Sequence, residues 1–139
     1  MRHTTVVFAL LVICGMAAMP HLASGEDQRC ANANTTVDMV NCLGAVYEDE
    51  DARLNAVWQQ IMADFRNPPD YMPAEDYAAW KDALLKAQRA WITYKDTDCQ
   101  DAVGFEWYGG TGRPVASLSC LIEKTQNRRV DLEARYLTR

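Results

Sequence analysis

Three long segments of this 139-residue chain repeat apolar residues at helical spacing. Within each segment the apolar positions recur every three or four residues, which places them on one face of a helix. The predicted faces are Val37, Val40, Leu43, Tyr47, Leu54, Trp58, Ile61 and Phe65; Tyr77, Trp80, Leu84, Ala87, Trp91 and Tyr94; and Leu118, Leu121, Ile122, Thr125, Leu132 and Tyr136. No segment alternates strongly enough to predict a strand. We therefore expect an all-α fold, an antiparallel three-helix bundle.

Local signals place the ends of these helices. Thr35 is a suitable N-cap, with Asp38 three residues later, and the prolines of residues 67–70 end the first helix. Pro73 and Pro114 suit the first turns of the second and third helices. The second helix is expected to fray near Val103, before a segment rich in glycine and aromatic residues.

The first residues have the pattern of a secretory signal peptide. Arg2 and His3 precede an apolar run over residues 6–19, and the small residues Ala23 and Gly25 follow. The run is short for a membrane span, which needs about 20 apolar residues, so a retained anchor is the weaker alternative. Lipid attachment at Cys14 is weaker still. We expect residues 1–25 to be removed and residues 26–139 to form a single helical domain, periplasmic or secreted.

Four cysteines remain after this cleavage: Cys30, Cys42, Cys99 and Cys120. An even number in an exported chain predicts disulfides, whereas a zinc site usually shows paired C-x-x-C spacings, which are missing here. Three pairings are possible. We favour Cys30–Cys42, which folds the N-terminal arm onto the first helix, and Cys99–Cys120, because an antiparallel hairpin brings the ends of two helices together. These two disulfides would staple the bundle.

The charges and the histidines restrict the function. Removal of residues 1–25 leaves 19 acidic and 13 basic residues, a net charge near −6, which disfavours binding to nucleic acid or to anionic lipid. Both histidines, His3 and His21, are lost with the signal, so a Ser-His or Cys-His catalytic pair is excluded. A carboxylate pair acting on glycosides remains an alternative, but a slim bundle offers little cleft. We expect no enzyme, no cofactor and no stable membrane insertion.

The acidic run at residues 48–51 is the most concentrated charge in the chain. It lacks the spaced ligands and the glycine of a calcium loop, so no metal site is predicted. Asp51 falls on the apolar face of the first helix, where a charge is costly unless it is paired. We expect a structural polar contact between Asp51 and Arg89 or Arg128 of the facing helices.

A candidate partner-binding segment lies between Cys99 and Cys120 and consists of Phe105, Glu106, Trp107, Tyr108, Gly109 and Gly110. Its aromatic residues do not fall on any helical face. Aromatic side chains on a disulfide-braced loop lose little entropy on binding, and Trp and Tyr are common hot-spot residues. The alternative is that these rings cap the open end of the bundle.

Several of these features together resemble a known family. Cys30 and Cys42 before a long helix, the run Asp51-Ala52-Arg53-Leu54-Asn55, and the run of residues 88–96 (QRAWITYKD) leading to Cys99 resemble the LprI-type lysozyme-inhibitor domain. The likeness continues through Cys120, Thr125, Arg128 and Leu132 and covers residues 30–137. Trp58 stands where the family tends to carry Tyr, and Lys95 replaces a more usual Arg.

The resemblance implies an exported helical domain, and some members of the family inhibit lysozyme. We therefore predict a protein-binding domain whose partner is a cationic lysozyme, inhibited by occlusion of its cleft. The alternative is an envelope interaction or assembly module with another protein partner. The family's inhibitory activity does not map onto individual residues. The lipid anchor of its founding member does not carry over, because this chain lacks a suitable lipid-attachment cysteine.

Overall fold

The computed structural model describes residues 28–108 and 110–138, and these residues form helices and turns without a strand. A 3₁₀ turn, Gln28–Cys30, precedes α1 (Thr36–Asp64) and α2 (Ala74–Asp96). A π-helical turn, Thr97–Ala102, leads into the short α3 (Val103–Glu106), and α4 (Arg113–Leu132) ends in a second π-helical turn, Glu133–Leu137. The predicted all-α, three-helix architecture is confirmed. The predicted signal peptide lies outside the described residues.

The sequence signals locate the helix ends well, with one exception. The Thr35 hydroxyl accepts a hydrogen bond from the Asp38 backbone N–H at 3.1 Å, as expected of an N-cap. Pro73 immediately precedes α2, and α4 carries Pro114 in its first turn. The expected fraying near Val103 is wrong, because a π-helical turn carries the backbone from α2 into α3 without a break.

The buried apolar residues form two clusters, and α1 packs most extensively against α4. The cluster near the loop between α1 and α2 consists of Leu54, Val57, Ile61, Phe65, Leu84 and Leu132, with an aromatic rim that includes Tyr77, Trp80 and Tyr136. The cluster near the N-terminal disulfide consists of Cys30, Met39, Leu43, Val46 and Ile122, with Val115 and Leu118 packed against it. Apolar burial of this kind is the main force that closes the bundle.

A layer of polar side chains separates the two clusters. Glu50, Gln88, Lys95 and Thr125 are all buried. Glu50 follows Val46 and precedes Leu54 on α1, and Thr125 lies between Ile122 and Leu132 on α4. Buried polar groups are costly unless they are paired, so this layer fixes which residues of the helices face one another.

The register of α1 differs from the prediction by one position in its central part. The predicted face shares Leu43, Leu54 and Ile61 with the buried face, but Val37 is exposed and the buried carboxylate is Glu50. Asp51 is half-buried and accepts a hydrogen bond from Asn55 Nδ2 at 2.8 Å, rather than from Arg89 or Arg128. Glu50 takes the buried position because two ion pairs and a hydrogen bond from other parts of the chain reach its carboxylate.

The two disulfides join the pairs that the sequence favours. Cys30 is bonded to Cys42, and Cys99 is bonded to Cys120. Each therefore closes a short stretch of chain, 12 and 21 residues apart, near the same end of the bundle. Within the described part of the chain, no helix is long and apolar enough to cross a membrane.

Candidate functional site

We call α2, the π-helical turn that follows it and α3 the α2–α3 arm. The candidate partner-binding residues lie at the turn that joins this arm to α4. We call residues 105–112, apart from Gly109, the aromatic segment; Gly109 itself lies outside the described residues. The Cys99–Cys120 disulfide bonds the π-helical turn between α2 and α3 to α4, and Cys99 is fully buried. The brace lies six residues before Phe105, so it limits how far the segment can move relative to α4.

A lysine beside this disulfide adds a polar brace. Lys124 of α4 donates hydrogen bonds to the Tyr94 hydroxyl and to Asp98 Oδ2, both at 2.9 Å. Its ammonium also lies 4.5 Å from the centre of the Tyr94 ring, in cation–π range. The hydrogen bonds with Tyr94 and Asp98 raise the pKa of Lys124 above its ordinary value. The ammonium is therefore held charged where α4 meets the α2–α3 arm.

Two glycines let the sides of the turn approach one another. A Cβ atom at Gly112 would lie 2.5 Å from the Trp107 indole, so the ring rests directly against the glycine backbone. A Cβ atom at Gly104 would lie equally close to the guanidinium of Arg113, the first residue of α4, which covers this buried glycine. The Gly112 contact sets the position of Trp107, and the Gly104 contact sets the position of Arg113.

The three aromatic residues of the segment are not equivalent. Phe105 is 76% exposed and Tyr108 is 94% exposed, and Glu106 between them is also exposed. Trp107 is 48% exposed and packs on Gly112. The structure therefore divides the predicted set into two projecting rings and one ring that packs on the residue before α4.

A groove of about 340 Å³ lies between the aromatic segment and the start of α1. One wall is formed by residues 33–36 and Met39, and the other by Trp107, Thr111, Gly112 and Val115. The first wall lies within the loop closed by Cys30–Cys42, and the second lies within the loop closed by Cys99–Cys120. Each wall is thus tied to the bundle by its own disulfide.

The N-terminal wall has a second anchor in the polar layer. Arg29 forms an ion pair with the buried Glu50 at 3.0 Å and with Asp49 at 3.6 Å. Gln126 of α4 donates a hydrogen bond to Glu50 Oε1 at 3.2 Å, and Arg129 Nε lies 3.9 Å from Glu50 Oε2. Glu50 therefore links the N-terminal turn, α1 and α4.

The side chains of Lys95 and Arg128 attach α2 to the rest of the bundle. Lys95 donates hydrogen bonds to the Tyr47 hydroxyl at 2.6 Å and to Asp96 at 2.9 Å. Lys95 and Arg128 lie 5.8 and 5.7 Å from the Trp91 ring, and Arg128 also donates to Gln88 Oε1 at 2.9 Å. Burial lowers the pKa of Lys95, but the hydrogen bonds with Tyr47 and Asp96 outweigh it, so the net pKa is raised.

Neither Arg89 nor Arg128 contacts Asp51 in the way that the sequence predicted. Arg128 has a structural polar role with Gln88, Trp91 and Asp131, whereas the side chain of Arg89 is exposed. Asp98 lies close to the sulfurs of Cys99 and Cys120, a set of atoms that resembles a metal site. Because the sulfurs are bonded to each other and Asp98 pairs with Lys124, these groups serve the brace instead.

Sequence reasoning missed the groove and its N-terminal wall. Asn34, Thr36 and Met39 line it, yet none of them stands in a recognisable motif. The available signal was indirect, since the Cys30–Cys42 pairing and the Thr35 cap together hold residues 31–35 at the start of α1. Their approach to Trp107 depends on tertiary packing.

The fold and this end of the molecule define a small helical bundle that holds an aromatic segment and a groove between two disulfides. The model of the family described as "Lysozyme inhibitor LprI" matches residues 27–132. This chain therefore belongs to the LprI lysozyme inhibitor family. An uncharacterised protein of Rhizobium meliloti (strain 1021) is 33% identical over 135 residues, which cover 96% of this chain and 94% of the relative. No solved structure matches the chain.

Proposed function

We propose that this protein is an exported, non-catalytic binding domain that inhibits lysozyme by covering its cleft with the projecting rings of the aromatic segment. Membership of the LprI family supports an inhibitory role. The observation that carries the proposal is the exposure of Phe105 and Tyr108 on a turn tied to α4 by the Cys99–Cys120 disulfide. Exposed aromatic residues on a pre-organised support are the usual hot spots of protein interfaces.

The charge of the chain suits a cationic target. The full sequence has 19 acidic and 14 basic residues, a net charge of −5. Glu106, which is exposed, adds a carboxylate to the aromatic segment. Lysozyme is strongly cationic, so long-range attraction would raise the rate of encounter, and salt would reduce that rate. The rings would then supply most of the affinity at the contact.

Export is part of the same proposal. Residues 1–25 would act as a cleaved signal peptide, which delivers residues 26–139 to the periplasm or the medium. The two disulfides of the fold are typical of proteins that mature in an oxidising compartment. The mass of the protein recovered from the cell envelope or the medium tests this step, since cleavage removes the first 25 residues and leaves a chain without histidine.

A turbidity assay tests inhibition directly. Lysozyme is added to a suspension of bacterial cell walls with increasing amounts of the purified protein, and the rate of clearing is followed. We expect saturable inhibition by the natural chain. A double variant, Phe105→Ser with Tyr108→Ser, should need at least about 30-fold more protein, because the loss of a single hot-spot ring, about 2 kcal/mol, already weakens binding by that factor.

Tyr71 provides the matched control. It is 82% exposed, but it lies in the connection between α1 and α2, at the opposite end of α1 from the groove. Tyr71→Ser should inhibit as well as the natural chain. Complete lysis at a large excess of the natural protein would rule out inhibition, and equal inhibition by the double variant would rule out the projecting rings as the contact.

A further inference from the structure

The groove beside Trp107 has a composition that differs from the rest of this charged chain. It is lined by Ala33, Asn34, Thr35, Thr36, Met39, Trp107, Thr111, Gly112 and Val115, and none of these residues carries a charge. A quarter of the whole chain is charged, so this lining is selective. From this chemistry we infer that the groove is a second binding site, which takes a neutral saccharide that carries acetamido groups.

The ring of Trp107 provides the platform for a sugar. Gly112 supports the indole from one side, and about half of the side chain remains exposed. The C–H face of a pyranose ring is apolar and packs against an aromatic ring, while its hydroxyl groups point sideways toward polar partners. An indole fixed by a close backbone contact is pre-organised for this kind of stacking.

The opposite wall supplies polar partners at a suitable position. Asn34 Nδ2 donates to the Asn32 backbone carbonyl at 3.0 Å, which orients the Asn34 side-chain amide. Thr36 on the same wall as Asn34, and Thr111 on the wall of Trp107, add hydroxyl groups that can both donate and accept. The Thr35 hydroxyl is already engaged as the cap of α1, so the recognition falls to Asn34, Thr36 and Thr111.

The apolar part of the lining favours an acetamido sugar over a simple one. Met39 and Val115 border the groove from α1 and α4. An acetamido group presents a methyl group for these side chains and an amide for Asn34 or a threonine hydroxyl. The volume of about 340 Å³ is at the lower end of small-molecule sites, which fits one or two sugar rings better than a peptide segment of a protein partner.

A titration followed by NMR tests the site without lysozyme, so its result is independent of the inhibition assay. The full chain, labelled with ¹⁵N, is titrated with tri-N-acetylchitotriose, and with maltotriose as the sugar that lacks acetamido groups. The Trp107 indole N–H is assigned by its loss in Trp107→Phe. We expect saturable shifts of the Trp107 indole and the Asn34 amide, with affinity for maltotriose about tenfold lower.

Variants on the two walls locate the contact. Trp107→Ala and Asn34→Ala should each weaken binding of tri-N-acetylchitotriose about tenfold, and Tyr71→Ser should leave it unchanged. Asn34 is an exposed residue before α1, so its variant keeps the test valid if Trp107→Ala fails to fold. If tri-N-acetylchitotriose produces no shifts at concentrations up to about 10 mM, the proposal is overturned. Equal affinity for maltotriose would overturn the acetamido assignment.

Discussion

The Trp107 indole rests on Gly112 so closely that a Cβ atom at residue 112 would lie 2.5 Å from the ring. This contact orders the aromatic segment, because it holds the central ring against the base of α4 while Phe105 and Tyr108 project. The disulfide Cys99–Cys120 fixes the preceding turn to α4. The segment is therefore positioned by a covalent bond and by a steric contact that only glycine allows.

Gly112→Ala should displace Trp107. The added methyl group cannot be accommodated without movement of the ring, so we expect a loss of about 1–3 kcal/mol in the free energy of unfolding. Inhibition of lysozyme should weaken about tenfold as the segment shifts. Urea unfolding, the Trp107 indole resonance and the turbidity assay measure the three effects.

Gly110→Ala is the control for this substitution. A Cβ atom at Gly110 would meet the Trp107 carbonyl at 3.6 Å, an ordinary contact distance. Stability and inhibition should therefore stay close to those of the natural chain. If Gly110→Ala and Gly112→Ala behave alike, the steric explanation is wrong.

Glu50→Ala should destabilise the fold through the polar layer. The substitution removes the buried partner of Arg29, Gln126 and Arg129 and leaves their donors without this carboxylate, which we expect to cost about 2 kcal/mol. Asp51→Ala changes a neighbouring carboxylate whose hydrogen bond to Asn55 is exposed, and should cost less than about 0.5 kcal/mol. Urea unfolding distinguishes them, and equal losses would place the structural carboxylate elsewhere.

Replacement of both Cys99 and Cys120 by alanine should weaken inhibition of lysozyme as well as the stability of the fold. Loss of this crosslink over 21 residues should lower the free energy of unfolding by about 3 kcal/mol. Because the same bond restrains the aromatic segment, inhibition of lysozyme should weaken under conditions where circular dichroism shows a folded bundle. The Cys30→Ala, Cys42→Ala variant should lose stability but keep inhibition, since it releases the other wall of the groove. Retention of full inhibition without Cys99–Cys120 would contradict the role of this brace.

The stability of the fold should decrease at alkaline pH through Lys95. The folded-state pKa of Lys95 is raised, because its hydrogen bonds with Tyr47 and Asp96 outweigh the effect of burial. Its contribution is therefore complete below the ordinary lysine pKa of 10.5 and is lost as the pH rises through the higher folded-state value. Lys95→Met should be less stable at neutral pH and should show a smaller further loss above about pH 10.5. Equal pH slopes for the two proteins would contradict this assignment.

The fold was accessible from the sequence because its signals are local. Thr35, the prolines and the apolar spacing mark the helices, and the positions of four cysteines favour the pairing that the structure shows. The buried polar residues were not accessible in the same way. Helical spacing placed Asp51 on the apolar face of α1, whereas the buried carboxylate is Glu50, because Arg29, Gln126 and Arg129 reach it from other parts of the chain.

The candidate site was only partly accessible for the same reason. The aromatic composition of residues 105–108 identified the segment, but not which rings project. That distinction depends on Gly112, which is close to Trp107 in sequence but whose direct contact with the indole is set by the path of the turn in the fold. The walls of the groove come from residues 33–39 and 107–115, which are far apart in the sequence, so no single motif describes it.

The most direct test of the account is an NMR map of the surface that lysozyme contacts. The ¹⁵N-labelled protein is titrated with unlabelled lysozyme, and the perturbed backbone amides are located on the fold. We predict that the largest changes fall on Phe105, Glu106 and Tyr108, with residues around Tyr71 unaffected. Perturbation confined to another surface, or a spectrum unchanged by excess lysozyme, would contradict the claim that the disulfide-braced aromatic segment is the inhibitory contact.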